Sequence, residues 1–140
     1  MVGRIIEGPG DIAEGMGWLA ARDSRFADAY ALTGPLPLRR KPEGFAELLS
    51  AIVSQQVSVA SARAIWARVE AAGLITPEAV RRASEDDLSA CGLSRPKMRY
   101  ARALAESTID LAALRDMPNE NVIAQLVEIP GIGRWTAEIY

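Results

Sequence analysis

Helix start and stop signals punctuate this chain at short intervals and leave room for little else. Alanine is abundant, β-branched runs are short, and capping residues stand ahead of apolar stripes of helical period. Phe45, Leu48, Leu49 and Ile52 fall at i, i+3, i+4 and i+7, so they line one face of a helix that ends near Ser54. Ser58 can cap the next helix, in which Val59, Ala62, Trp66 and Val69 repeat the stripe and Gly73 ends it. Thr76 before Pro77, and Ser84 before an acidic turn, start two more. Residues 95–106 predict another helix. Pro118 opens the last complete one, with Val122, Ile123, Leu126 and Val127 inside. Upstream, Asp11 is expected to cap a helix over 12–21, and a second covers 24–32 and stops at Thr33-Gly34-Pro35. The stretch "GPLPLRRKPEG" is then an extended connector, because proline disfavours helix at the residue before it. The expected class is all-α, as a single domain over residues 1–140.

A chain of 140 residues can build one domain with its own core. With 49% apolar residues and no low-complexity tract, disorder is not the expected state. No apolar run is long enough for a membrane helix, and the first residues lack the apolar segment of a secretory signal. Cys91 is the only cysteine. It can form no disulfide within the chain and no four-cysteine metal site, so it reads as a small core residue in a reducing cytoplasm. The absence of histidine removes the commonest general base, the commonest metal ligand and every Ser-His or Cys-His nucleophile. The formal net charge of -2 offers no broad basic face. Any grip on nucleic acid must come from helix N-termini and a few placed arginines or lysines.

Three segments stand out. In "SQQVS", 54–58, a helix with a buried stripe breaks at two glutamines and resumes at a serine cap; the plain alternative is a polar surface turn. In "CGLSRPKMRYARALA", Arg95, Lys97, Arg99 and Arg102 crowd the start of a helix, where positive charge opposes the macrodipole. That arrangement suits an external anion, or it is an ordinary solvated face. In "EIPGIGRWTAEIY", 128–140, Gly131 and Gly133 bracket Ile132 between two helices. Ile132 can tuck inward, while the first amides of the helix that begins at Arg134 point outward without internal acceptors. Such a turn is a ready phosphate site, or simply a tight connection.

Together these segments resemble the helix–hairpin–helix (HhH-GPD) superfamily of base-excision DNA glycosylases, and within it the 3-methyladenine-DNA glycosylase II branch. "LVEIPGIGRWTAEIY" is similar to its hairpin, with the helix–hairpin–helix spanning about 119–140. "AIVSQQVSVASARAIW" and "GLSRPKMRYARALA" are similar to two further segments in the same order. The resemblance covers 45–140 well and the rest loosely. It implies DNA repair by excision of alkylated bases: base flipping, then hydrolysis of the N-glycosidic bond. Its partner is double-stranded DNA containing alkylated bases; a monomer working at the bacterial nucleoid, in the cytoplasm, is expected. In lyase members of the superfamily a lysine follows the hairpin and forms a Schiff base; here that position is Trp135, so no covalent chemistry is implied. Instead the indole would line a base pocket for a cationic purine, unless it is a core residue holding the hairpin helix down. The resemblance places the wedge that fills the emptied stack at Gln56, with Gln55 beside it. It gives phosphate binding to Gly131, Gly133, Arg134 and Thr136. No cofactor is required; a structural Na or K ion would be held by the carbonyls of Val127, Ile129 and Ile132.

The family's catalytic aspartate lies beyond the helix that starts at Arg134. None of Asp11, Asp23, Asp28, Asp86, Asp87, Asp110 or Asp116 occupies the matching place. The expectation is therefore an N-terminal fragment of a glycosylase, its C-terminal part missing, inactive by itself and with an exposed apolar face on its last helices. The alternative is a non-catalytic helix–hairpin–helix module that only binds DNA.

Overall fold

A computed structural model describes residues 5–140, and most of the α-helices among them begin at or next to a capping side chain or a proline, whereas the α-helices at Phe45 and Arg134 follow a glycine with no side-chain cap. The chain divides into two compact units, one running up to Lys41 and the other from Pro42 to Tyr140.

The first unit is a pair of helices, α1 (Pro9–Ala20) packed on α2 (Ser24–Thr33). Asp11 does not cap α1 as expected. The helix starts at Pro9, whose fixed φ suits a first turn, and Asp11 is its third residue. From there its carboxylate reaches back to accept the Gly8 amide at 3.0 Å and the Glu7 amide at 3.0 Å. Asp23 caps α2 by accepting the Arg25 amide. Met16 is the buried apolar residue of α1, and the Arg22 guanidinium lies 3.5 Å over the exposed Trp18 ring.

The second unit contains α3 (Phe45–Ser54), α4 (Val59–Ala71), α5 (Pro77–Arg82), α6 (Glu85–Ala90), α7 (Arg95–Glu106), a 3-10 turn at Ala113–Asp116, α8 (Asn119–Leu126) and α9 (Arg134–Ile139). The expected caps operate: Ser58, Thr76 and Ser84 each accept the amide three residues on. The α3 stripe is the heart of the core, with Leu48, Leu49, Ile52 and Val53 fully buried, each worth about 1.5–3 kcal/mol of removed apolar surface. Both α4 and α7 pack on α3; α5 and α6 pack on α7; α8 packs on α9. Cys91 is buried as expected, its Sγ 3.6 Å from the Arg68 carbonyl, and burial pushes the thiol up from its ordinary value. Tyr140 completes the unit: its hydroxyl accepts the amide of Gly44, the residue that precedes α3, at 2.7 Å. No helix of the described residues is long and apolar enough to cross a membrane.

Candidate nucleic-acid interface

Two turns that lie far apart in sequence meet in the second unit. One is the break between α3 and α4, residues 55–58. The other is the hairpin between α8 and α9, residues 127–133. The two glutamines of the first turn do different things. Gln55 is half-buried, and its Nε2 donates to the Gly131 carbonyl at 2.9 Å and to Thr136 Oγ1 at 3.4 Å. Gln56 is exposed and stands at the tip with a left-handed backbone, φ +55°. A non-glycine residue there is uncommon and costs about 1–2 kcal/mol.

The hairpin is built from inside out. Ile129 and Ile132 are buried, and the Ile132 amide donates to the Ile129 carbonyl at 3.0 Å. Gly131 has φ +92°, and a Cβ built there would meet Tyr100 Cγ at 2.3 Å. Glycine is needed on both counts. Gly133 differs: its φ is -87° and a Cβ would enter open space. It is the N-cap of α9 and provides no side-chain cap, so the first amides of α9 lack an internal acceptor.

One helix supports both turns. Lys97 and Tyr100 lie on the same face of α7. Lys97 is buried, and its Nζ donates at 2.6 Å to the Val53 carbonyl, near the C-terminal end of α3. An ammonium there complements the negative end of the helix dipole, while burial pulls its proton affinity below the lysine norm. Tyr100 packs beneath Gly131. Between the two turns and α7 opens a cleft of about 530 Å³, lined by Gln55, Gln56, Lys97, Tyr100 and residues 131–133, with Ser94 and Pro96 at its edge. Among the described residues no carboxylate lines it, so none of the seven aspartates considered from sequence reaches it.

The remaining site residues fall as follows. Trp135 is 73% exposed on α9 and is not part of the core. With Val127 and Ile139 it leaves apolar surface exposed on the last elements. Thr136 is buried, holding its hydroxyl near Gln55 rather than toward solvent. Arg134 is exposed but engaged, with Nε 2.7 Å from Glu138 Oε1 and a guanidinium nitrogen 3.4 Å from Glu120 Oε1. The Glu138 bond, then Glu120, raises its pKa above the arginine norm. Arg95 and Arg99 line a separate depression with Glu85, Met98 and Arg102. The tethering roles of Gln55, Lys97 and Tyr100 escaped the sequence reading. Lys97, interrupting the apolar face of Met98, Ala101 and Leu104, was the one available signal.

The cleft and its two turns fall within residues 49–135, which match the HhH-GPD superfamily of base excision DNA repair proteins. DNA-3-methyladenine glycosylase 1 of Schizosaccharomyces pombe is 35% identical over 108 residues, covering 71% of this chain and 47% of the relative. An alkylbase DNA glycosidase-like protein of the same yeast is 25% identical over 134 residues, covering 87% and 63%. The chain thus spans roughly half to two thirds of the length of these relatives. Among solved structures, a DNA-3-methyladenine glycosidase from Bacillus halodurans superposes with TM-score 0.77 at 37% identity, over 86% of this chain and 58% of that one. The S. pombe 3-methyladenine DNA glycosylase in complex with abasic DNA superposes with TM-score 0.74 at 31% identity, over 90% and 67%. The all-helical fold and the matched segments agree: this chain belongs to the HhH-GPD superfamily of base excision DNA repair proteins.

Proposed function

We propose that the chain grips duplex DNA at alkylated purines and turns the damaged base out of the stack. In an alkylpurine glycosylase of the 3-methyladenine type this precedes hydrolysis of the N-glycosidic bond. The observation that carries the proposal is the clamping of an exposed, left-handed Gln56 beside a glycine hairpin by Gln55. Extruding a base costs about a few kcal/mol. Gln56 is the wedge that occupies the vacated stack, and the amides of the hairpin from Gly131 onward, with the start of α9, take a backbone phosphate. Gly133 leaves room for that phosphate because it carries no side chain. Trp135 presents an indole face to the cationic base, an attraction of about 0.5–2 kcal/mol. Without a lysine at that position the reaction class is monofunctional.

A metal is not needed for this step. A Na or K ion at the carbonyls of Val127, Ile129 and Ile132 is compatible with the donor set, which is neutral oxygen throughout, the chemistry of a hard cation of low charge. When bound, it would add positive charge to the hairpin. Because no carboxylate lines the cleft among the described residues, we assign binding and base displacement, but not base release, to these 140 residues. We take the chain to act as a monomer at the bacterial nucleoid, in the cytoplasm.

Binding to a duplex with one abasic-site analogue, compared with the same undamaged duplex, tests the reading. Preference for the damaged duplex, weakening with salt and lost in Gly133→Val, is expected. Equal binding to both would favour a non-specific helix–hairpin–helix module. Base release from alkylated DNA by the purified chain would overturn the division of labour.

A further inference from the structure

We infer that Gln55 is a positioning residue that sets the Gln56 wedge in register with the hairpin; this rests on the wedge reading above. Gln56 sits at the tip of a turn, and its own backbone conformation is strained. A strained tip holds its place only if its neighbours are fixed, and two side chains fix them. Lys97 holds the upstream side through the Val53 carbonyl at 2.6 Å. Gln55, directly adjacent, reaches across to the Gly131 carbonyl at 2.9 Å and Thr136 Oγ1 at 3.4 Å. Gly131 cannot retreat, because Tyr100 backs it. The amide of Gln55 is therefore the direct hydrogen-bonded link between the turn that would enter the stack and the turn that would hold the phosphate. Its Nε2 has two acceptors to satisfy, and neither contact is available to a wedge inserted in DNA. Gln55 thus belongs to the scaffold of the wedge and not to the wedge itself.

The test uses a duplex carrying 2-aminopurine beside an abasic-site analogue, whose fluorescence rises when the base is unstacked. Affinity for the same duplex is read by anisotropy. Gln55→Leu should bind within about threefold of wild type, since phosphate contacts remain, yet lose at least half of the fluorescence rise. Gln56→Ala should lose it too. The double variant should do no worse than Gln56→Ala alone, because coupled residues are non-additive. Should Gln55→Leu fold poorly, Gln55→Glu keeps the shape and replaces the donor with an acceptor, and should give the same loss. A full fluorescence rise in either folded Gln55 variant, or additive loss in the double variant, overturns the inference while leaving the wedge intact. A full rise in Gln56→Ala removes the wedge reading, and the inference falls with it.

Discussion

Tyr100 and Gly131 are packed so closely that a single methyl group cannot be placed between them: a Cβ on Gly131 would lie 2.3 Å from the ring. Gly131→Ala should therefore lose about 2–4 kcal/mol in chemical denaturation, from left-handed strain together with overpacking. Gly133→Val, at an extended residue facing open space, should cost under about 1 kcal/mol. The same variant should abolish preference for damaged DNA. If both glycines proved equally costly to stability, the assignment of Gly131 to structure and Gly133 to binding would be wrong.

The left-handed backbone of Gln56 restricts what the tip can be. Gln56→Val should destabilise by about 1–2 kcal/mol, because a β-branched side chain fits that conformation poorly. Gln56→Gly should cost nothing measurable in melting temperature while removing the side chain proposed as the wedge. Equal melting temperatures for the valine and glycine variants would contradict this.

Arg134, a proposed phosphate contact, is bound to Glu138 and Glu120. Glu138→Gln removes the shorter of its two ion pairs and one negative charge beside the proposed phosphate contact. Duplex affinity should rise about threefold at low salt, and the logarithmic salt dependence should steepen by about one unit. Unchanged affinity would mean that Arg134 makes no phosphate contact.

Alkaline stability should report on Tyr140. Burial, the largest influence, raises its phenol above the usual value, ahead of the opposing bond from the Gly44 amide. The folded pKa is thus above the unfolded one. The stabilisation is complete below about pH 10 and is lost as pH rises through the folded value. Tyr140→Phe should flatten that decline in pH-dependent melting and cost about 1 kcal/mol near neutral pH.

The local parts of this architecture were legible because their causes are local. A serine or threonine three residues ahead of an amide announces a cap, and Ser58, Thr76 and Ser84 did so. Asp11 was misplaced by three positions because an acid at the cap and an acid at the third helical residue look alike until Pro9 is recognised as the first helical residue. Residue type alone does not separate Gln55 from Gln56, since neighbours of one type carry no mark of which faces inward; the resemblance ranked Gln56 as the wedge but did not assign Gln55 its inward bonds. Lys97 lies 44 residues from the carbonyl it meets, and a lysine is assigned to the surface by default. Of the two carboxylates that occupy Arg134, Glu120 was equally hidden, 14 residues upstream, whereas Glu138 stands at the i,i+4 spacing at which helix side chains meet.

The shared seat of Lys97 and Tyr100 on α7 has a consequence for how such a protein can vary over time. One rigid rod gauges the separation of two loops while its own backbone need not meet DNA. Inserting or deleting one residue between Lys97 and Tyr100 would swing one side chain through about 100° relative to the other, and no single change in either loop could restore both contacts. Either loop can therefore change one substitution at a time, whereas the helix between its two seats admits no change of length.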